Sequence, residues 1–285
     1  MRKKIVFVGN RYSGLKALLN NSKLELVRIF YESGSYLEKE LLTDDLNNSL
    51  PLQEMPKEKE RLLTELSNIR YDILISNGCR FKLPVSVLQD GSKLFLNIHP
   101  SLLPRLKGKN PLNGIFLFGH KEFGVTLHYM DDGIDTGNII LQKKIQVTSD
   151  LDLGMLYLAL LDLEYEVLKE GLDLLDKCHF IFKGHPHSRG SYYSRKQEDM
   201  TVFFNKERSA DIVRKTKAFG VLTQGVTCEI KGEQVKIFDA ENITNSYFLN
   251  RYGNYKPGEV VTEYDNKLII RTNDGLVKIT RWAKN

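Results

Sequence analysis

Short apolar runs alternate with segments of helical apolar spacing along the first half of the chain. Residues 5–8 (Ile-Val-Phe-Val) form an apolar run that ends at Gly9, which is typical of a strand buried in a parallel sheet. Similar runs predict strands over 24–30, 72–76 and 93–98, and the spacing between them predicts helices over 13–20 and 58–69. Strands that alternate with helices predict βαβ units and therefore an α/β domain with a mostly parallel sheet.

The ends of these predicted strands carry polar residues and glycines. Gly9-Asn10-Arg11 follows the first strand, Asn77-Gly78 follows the strand over 72–76, and His99 follows the strand over 93–98. Open α/β sheets bind ligands beyond the carboxyl ends of their strands. We therefore expect a functional site at this edge of the sheet.

The second half of the chain has a different pattern. Apolar spacing of i, i+3, i+4 predicts a long helix over 153–175, and a loop follows at 183–190. Beyond the loop, a predicted helix precedes several short strands with turn signals between them: 209–219, then 226–230, 235–240, 258–264, 267–271 and 277–282. The predicted organisation is an N-terminal domain over 1–185, a linker over 186–205 and a small β-rich C-terminal domain over 206–285.

Composition and charge narrow the class of protein. The 285 residues are 41% hydrophobic and 27% charged, which is typical of a globular protein rather than a disordered one. The formal charge of +5 suits an anionic small molecule and is too small to argue for nucleic acid. No apolar run reaches the roughly 20 residues that a membrane span needs, and the first apolar run is too short for a signal peptide. We expect a cytoplasmic protein without a membrane partner.

The cysteines do not predict a metal or a disulfide framework. Cys79, Cys178 and Cys228 are odd in number and widely spaced, and no C-x-x-C pair occurs. We expect free thiols and no metal site.

Three polar residues carry the chemistry that the sequence indicates most clearly. Asn97 and His99 leave a predicted strand on alternate positions, so both side chains point to one side. Asp135 lies in a Gly-rich loop, not far along the chain from a second histidine, His128. An amide, an imidazole and a carboxylate are the groups needed to transfer an acyl group onto an amine. Taken singly, each residue also fits a structural role, such as a strand end or an Asx turn.

Three sequence runs resemble the folate-dependent formyltransferase family, which includes the glycinamide ribonucleotide, methionyl-tRNA and nucleotide-sugar formyltransferases. The runs are Asn97-Ile-His99-Pro-Ser101-Leu-Leu-Pro104, Gly124-Val-Thr-Leu-His128 and Asp135-Thr-Gly137. The resemblance covers about residues 5–175, and a weaker one relates the C-terminal domain to the barrel-like appendage of the tRNA and sugar enzymes. It implies a Rossmann-like catalytic domain, a β-rich barrel-like C-terminal domain, catalytic roles for Asn97, His99 and Asp135, and 10-formyltetrahydrofolate as the donor.

The residues suggest how such a transfer would proceed. A neutral amine would attack the formyl carbon, and the resulting oxyanion would accept hydrogen bonds from Asn97 and a protonated His99. Asp135 would keep His99 protonated and help to remove the proton of the amine. No step calls for a metal.

Two segments are the expected folate pocket, because main-chain groups could bind the amide-like edges of a pteridine. They comprise Asn77, Gly78, Cys79, Arg80 and Phe81, and Met130, Asp131, Asp132, Gly133 and Ile134. Core packing is an equally good interpretation of Cys79 and Phe81.

The acceptor is predicted from the segment after Pro104. Its run Lys107-Gly-Lys-Asn-Pro-Leu-Asn113 is similar to the R/K-G-x-x-P-L-N-W run of amino-sugar enzymes, although Gly114 replaces the Trp. Methionyl-tRNA enzymes usually carry A-A-P-I there, and Met or Gln in place of His128. A nucleotide-sugar, with dTDP preferred to UDP, would need cations for its pyrophosphate. The candidate substrate-binding residues are Arg11, Arg105, Lys107, Lys109 and Asn110.

Three functions follow from these patterns. The first is formylation of a nucleotide-linked dideoxy amino sugar for a surface polysaccharide such as the lipopolysaccharide O-antigen. The second is a methionyl-tRNA formyltransferase, which would require a basic stripe on the C-terminal domain, where 15 Lys and Arg stand against 12 Asp and Glu over residues 196–285. The third is a non-catalytic protein that binds folate or a nucleotide-sugar. Aromatic residues of the C-terminal domain are compatible with a homodimer.

Overall fold

The computed structural model describes residues 2–43, 49–91 and 93–284. Packing divides the chain into two compact units. The first consists of Met1–Gly108, Gly124–Ile145 and Leu158–Tyr192, and the second of Lys109–Phe123, Gln146–Tyr157 and Tyr193–Asn285. The predicted domain boundaries at 185 and 205 stay a prediction. They divide the chain into continuous segments, whereas each compact unit combines three separate segments.

The larger sheet has its strands in the order β3-β2-β1-β4-β5-β6-β7. Neighbours from β3 to β5 pair in parallel, and β6 runs antiparallel to β5. This confirms the predicted α/β class with a mostly parallel, Rossmann-like sheet. The strands are β1 (Lys3–Gly9), β2 (Leu24–Tyr31), β3 (Leu52–Glu54), β4 (Ile73–Asn77), β5 (Leu94–His99), β6 (Glu122–Tyr129) and β7 (Ile139–Gln146).

Helices connect and flank these strands. They are α1 (Tyr12–Leu19), α2 (Tyr36–Thr43), α3 (Lys59–Ser67), α4 (Val85–Leu88), α5 (Pro111–Leu117) and α6 (Leu153–Lys177). α6 lies close against β6 at Gly171, where a Cβ would come within 2.2 Å of the Leu127 side chain. The apolar run of β1 is fully buried, as its sequence predicts.

The second sheet is antiparallel and has the order β10-β11-β12-β9-β8. Its core contains fully buried side chains such as Ile237, Ile279 and Phe219. This confirms the predicted β-rich C-terminal domain. Its elements are a 3-10 helix (Gln197–Met200), α7 (Ser209–Phe219), β8 (Val226–Ile230), β9 (Glu233–Asn242), α8 (Ser246–Tyr252), β10 (Val260–Tyr264), β11 (Lys267–Arg271) and β12 (Leu276–Lys284).

Several elements lie outside the sequence prediction. The run from Pro111 begins helix α5 rather than forming a loop, since Pro at the first helical turn fits the helix and loses no hydrogen bond. α8 was not predicted because its seven residues are shorter than the window over which helical periodicity can be recognised, and none of them is buried. Within the described part of the chain, no helix combines the length and the apolar character needed to cross a bilayer.

Candidate active site

The end of β5 and the antiparallel strand β6 bring three polar side chains together. Residue pairing between the strands places Asn97 opposite His128 and His99 opposite Thr126. Because side chains of paired residues share one face of a sheet, the His128 ring lies beside the Asn97 amide. The Asn97 Nδ2 and His128 Nε2 atoms are 3.1 Å apart.

Asp135 completes this cluster from the loop between β6 and β7. Its carboxylate lies 3.4 Å from His99 Nδ1, 3.6 Å from His128 Nε2 and 3.4 Å from Asn97 Nδ2. Its backbone has a φ of 54°, a left-handed conformation that Asp tolerates better than most residues. The structure therefore assembles the three residues that the sequence singled out, with His128 as a fourth member.

A short loop after β5 holds two of these side chains through main-chain groups. The Leu106 carbonyl oxygen accepts a hydrogen bond from His99 Nε2 at 2.9 Å, and the Gly108 N–H donates to Asp135 Oδ2 at 2.9 Å. The Thr126 hydroxyl anchors the preceding turn by donating to the Ser101 carbonyl at 2.6 Å.

The hydrogen bonds fix the proton positions of both histidines. A carbonyl oxygen can only accept, so His99 carries its proton on Nε2 and leaves Nδ1 facing Asp135. The His128 Nδ1 atom lies 2.7 Å from the Tyr129 carbonyl, which leaves Nε2 to accept from Asn97. The Asn97 amide nitrogen therefore points at His128 and Asp135. The contact of Asn97 Nδ2 with Asp135 is longer, at 3.4 Å, than its contact with His128, at 3.1 Å. A hydrogen bond from Asn97 Nδ2 to a substrate oxygen would therefore replace the contact with Asp135.

Burial and charge act in opposite directions on the pair His99 and Asp135. Burial lowers the pKa of His99 below its usual value and outweighs Asp135 and the Leu106 carbonyl, which raise it. Burial would raise the pKa of Asp135, but contact with His128, the charge of His99 and the Gly108 N–H lower it to about 2. Burial thus works against protonation of His99, because imidazolium is poorly solvated in this site, and the expected role of Asp135 in keeping His99 protonated stays a prediction.

This arrangement can accept a proton. The Nδ1 lone pair of neutral His99 faces an ionised carboxylate, and proton uptake at Nδ1 would turn that repulsion into an ion pair. The Asn97 amide lies next to it as a hydrogen-bond donor. A base beside a donor is the set of groups that addition of an amine to a carbonyl requires.

The two predicted folate segments reach one region of the first unit. Cys79, Phe81 and Met130 all pack against the same buried cluster of apolar side chains. Asp132 Oδ1 accepts a hydrogen bond from the Ser86 N–H at the start of α4. Packing thus accounts for Cys79 and Phe81, whereas Gly78 and the loop from Asp131 to Ile134 are exposed.

Asn77 and Arg80 have partners inside the protein. Asn77 is fully buried, donates from Nδ2 to Glu164, and accepts from the Asn10 N–H at its main-chain oxygen. Its carbonyl and its Nδ2 therefore already have partners within the protein, and a contact between Asn77 and folate stays a prediction. Arg80 donates to the Pro56 carbonyl at 2.7 Å and lies over the Phe81 ring.

The predicted substrate-binding residues fall in different places. Lys107 is only 3% exposed, and its ammonium lies 5.4 Å from the centre of the Tyr192 ring. Arg11 lies against Gly78 at the carboxyl edge of the sheet, and Arg105 is exposed. Lys109 and Asn110 belong to the second unit, where Asn110 Oδ1 accepts from the Arg195 N–H at 3.2 Å.

Sequence reasoning did not assign a role to His128 or to the main chain of residues 106–108. The alternating pattern of Gly124-Val-Thr-Leu-His128 could have revealed His128, had it been read as a strand beside Asn97. The main-chain contacts depend on loop geometry, including a φ of 55° at Leu106, and leave no signal in the sequence. No group of three His, Cys, Asp or Glu side chains suited to a metal ion occurs among the described residues.

Two family models together match most of the chain. Residues 31–172 match the formyl transferase family, and residues 195–285 match the formyl transferase C-terminal domain. The methionyl-tRNA formyltransferase of Syntrophus aciditrophicus (strain SB) is 30% identical over 230 residues, which are 80% of this chain and 71% of that protein.

Two solved structures have the same fold. WlaRD, a sugar 3N-formyl transferase crystallised with dTDP and 5-N-formyl-THF, has a TM-score of 0.73 and 23% identity, with coverage of 100% of this chain and 99% of that one. HypX from Aquifex aeolicus, in complex with tetrahydrofolic acid, has a TM-score of 0.67 and 20% identity over 100% of this chain, which spans 45% of HypX.

Fold and site together define a one-carbon group transferase. The chain belongs to the formyl transferase family, which confirms the family resemblance and the enzyme class predicted from the sequence.

Proposed function

We propose that this protein transfers a formyl group from 10-formyltetrahydrofolate to the amine of a nucleotide-linked dideoxy amino sugar. The observation that carries the proposal is the contact of Asn97, His99 and Asp135 at the end of β5, within a formyl transferase fold. The product would serve a surface polysaccharide such as the O-antigen of lipopolysaccharide. A cytoplasmic location and a homodimer belong to the same proposal.

The residues of the cluster would act in sequence on the acceptor amine. The neutral amine forms a bond to the formyl carbon, and the carbonyl electron pair moves to oxygen. Asn97 Nδ2 stabilises that oxygen with a hydrogen bond, a contribution typically worth about 10²–10³ in rate. His99 Nδ1 takes the proton of the amine, and Asp135 stabilises the imidazolium. The electron pair on oxygen then re-forms the carbonyl as the bond between the formyl carbon and the donor nitrogen breaks, and the same proton passes from His99 to that nitrogen.

The folate would lie beside the exposed parts of the two predicted segments. Gly78 directly follows β4, the loop from Asp131 to Ile134 leads into Asp135, and both are exposed, with Ile134 at 47%. These groups fit a flat heterocycle with amide-like edges. The folate supplies an activated formyl group, and the complexes of WlaRD and HypX support the choice of donor.

A buried cation supports an anionic acceptor. Among the described residues, no carboxylate lies within ion-pair distance of the Lys107 ammonium, although this side chain is almost fully buried. Its ammonium contacts the Tyr192 ring, and a phosphate oxygen would add a charge-assisted hydrogen bond to it. The nucleotide of WlaRD favours dTDP over UDP, and the run from Lys107 to Asn113 favours an amino-sugar acceptor over tRNA.

A second candidate acceptor is charged initiator tRNA. The curated relatives carry the name methionyl-tRNA formyltransferase, at about 30% identity for the first of them. The C-terminal segment has a net charge of only +3, which is small for a surface that binds a tRNA backbone. A non-catalytic binding protein is the third candidate, and the assembled cluster argues against it.

A formyl-transfer assay separates the three candidates. The purified protein would be mixed with 10-formyltetrahydrofolate and, in turn, with dTDP-linked amino sugars, UDP-linked amino sugars and charged initiator tRNA, and release of tetrahydrofolate would be followed. Turnover with a dTDP-linked sugar is the expected result. Turnover with tRNA alone would assign the second function, and folate binding without turnover on any acceptor would favour the third.

A further inference from the structure

A segment far along the chain runs beside the candidate active site. Residues 183–192, here called the strap, follow α6 and lead out of the first unit. The strap is bound at its beginning to the start of β7. The Ile139 and His185 main chains exchange two hydrogen bonds, at 2.9 and 2.7 Å, and His187 Nε2 lies 3.1 Å from the Gly137 carbonyl. Gly137 and Ile139 come directly after the loop that carries Asp135.

The far end of the strap holds the loop over residues 105–108, here called the site loop. The Leu106 N–H donates to the Ser191 hydroxyl at 2.9 Å, and the Lys107 N–H donates to the Ser191 carbonyl at 2.9 Å. Lys107 and Tyr192 also form a β-bridge. Two consecutive amides of the site loop are thus satisfied by one strap residue.

The same loop residues hold the catalytic side chains on their other face. The Leu106 carbonyl accepts from His99, and the Gly108 N–H donates to Asp135. A continuous series of hydrogen bonds near 2.9 Å therefore runs from Ser191 through the site loop to both side chains. Leu106 has a left-handed φ of 55°, a conformation that a leucine adopts only when its surroundings impose it.

The strap lies so close to the loop that one of its positions admits only glycine. A Cβ on Gly190 would come within 1.7 Å of the Pro104 carbonyl oxygen. The neighbour is backbone and has no side-chain freedom to move aside. The position of the site loop relative to β5 is therefore fixed by two features of the strap, namely the close contact at Gly190 and the two hydrogen bonds at Ser191.

We infer that Ser191 is a positioning residue, which sets the geometry of His99 and Asp135 through the site loop without touching the substrate. Its hydroxyl fixes Leu106, and the Leu106 carbonyl in turn fixes the tautomer of His99 with the proton on Nε2. A displaced loop would free the ring to rotate and would weaken the Gly108 contact to Asp135. The inference rests on the proposed catalytic roles of His99 and Asp135.

The direct test observes the imidazole and does not depend on the acceptor. In full-length protein labelled with ¹⁵N-histidine, NMR titration would give the tautomer and pKa of each ring, with His99→Ala for assignment. The Leu106 carbonyl raises the pKa of His99 against burial, so Ser191→Ala should lower that pKa and mix the two tautomers. The charged and titratable groups around the ring, namely Asp135, His128 and Lys107, are unchanged in this variant.

Matched variants distinguish a specific effect on the geometry of His99 from a general loss of folded structure. Ser191→Thr keeps the hydroxyl and should restore the wild-type titration, and Ser194→Ala removes an exposed hydroxyl three residues away and should leave it unchanged. Gly190→Ala should shift His99 in the same direction as Ser191→Ala. Each variant would be checked by thermal unfolding.

Kinetics with 10-formyltetrahydrofolate and a dTDP-linked amino sugar provide the second readout. Ser191→Ala should lower kcat about tenfold or more and change KM by less than about twofold, because small misplacements of catalytic groups affect the chemical step most. A wild-type titration of His99 in folded Ser191→Ala would overturn the inference even if no acceptor is turned over. A shifted titration with no turnover by wild-type protein would support the positioning role and contradict the proposed acceptor instead.

Discussion

His99 derives its reactivity from the balance between burial and a neighbouring carboxylate. The ring is 4% exposed, and burial lowers its pKa, whereas Asp135 and the Leu106 carbonyl raise it. In the ligand-free protein the ring is therefore a base with an ionised partner in place. An acceptor amine must lose a proton during the proposed reaction, and we propose that His99 Nδ1 takes it.

Substitution of Asp135 should affect both the rate and the imidazole. Asp135→Asn removes the charge that raises the pKa of His99, so that pKa should fall further, and kcat should fall by about 10²-fold or more. Steady-state kinetics and histidine NMR would measure the two effects. Asp90→Asn, at an exposed position of the same unit, should change neither quantity. An Asp135→Asn protein with wild-type kcat would contradict the assigned role.

Lys107 should matter for binding of the acceptor. Lys107→Met keeps most of the buried volume and removes the charge, so KM for a dTDP-linked amino sugar should rise about tenfold, since a charge-assisted hydrogen bond is worth about 1.5–3 kcal/mol. The exposed Lys16→Met serves as the control. Equal KM values for wild type and Lys107→Met would show that the phosphates bind elsewhere.

Glu164 should make stability depend on pH in an unusual direction. The carboxyl is 1% exposed and bonded to Ser13 and Asn77, and burial raises its pKa against the effects of Arg11, Ser13 and Asn77. A raised folded-state pKa contributes stability that is present below the unfolded pKa, near 4.5, and is lost as pH rises through the folded value.

Glu164→Gln isolates this contribution. Glutamine can keep both hydrogen bonds and does not ionise, so the variant should gain stability relative to wild type as pH rises from about 4 to 8. Urea unfolding at several pH values would measure the difference. The exposed Glu170→Gln should show no such trend. A difference between wild type and Glu164→Gln that is independent of pH would refute the assignment.

Among the helices and strands, the sequence predicted those with a clear apolar pattern. It did not predict strand direction or the conformation of turns. The strand ending at His99 was evident from its apolar run, and alternation placed Asn97 beside it on one face. The reversal of β6, which brings in His128, could not be predicted because short apolar runs do not report strand direction. The left-handed turn at Leu106 also has no sequence signal, since leucine is rare in that conformation.

The close packing of α6 on β6 gives a test at this scale. A Cβ at Gly171 would lie 2.2 Å from the Leu127 side chain, so Gly171→Ala should lower the free energy of unfolding by about 1–3 kcal/mol. Gly154 lies in the same helix, and a Cβ there would meet one atom within 4 Å, an Asp152 carboxylate oxygen at 3.2 Å. Gly154→Ala should therefore be neutral or stabilising by up to about 1 kcal/mol. Equal stabilities in urea for the two variants would show that α6 can move away from the sheet.

At the scale of the whole molecule, the sequence predicted the two kinds of sheet and the family, and it left the acceptor open. The fold and the proposed catalytic cluster were predicted from the three sequence runs that resemble the formyltransferase family. The acceptor depends on the placement of charges such as Lys107, whose burial no local pattern reveals. Composition also could not show that Lys109 and Asn110 pack in a different compact unit from Lys107.

Product analysis with labelled donor shows directly whether this protein formylates a sugar amine. Wild-type protein would be incubated with 10-[¹³C]formyltetrahydrofolate and a dTDP-linked amino sugar, and the ¹³C signal of the product would be recorded beside that from Asp135→Asn. We expect a ¹³C-formamide on the sugar amine with wild-type protein and about 10²-fold slower formation with the variant, because loss of such electrostatic support for the reaction typically costs that much. Label transferred only to charged initiator tRNA would contradict the proposed acceptor, and equal rates for the two proteins would contradict the proposed mechanism.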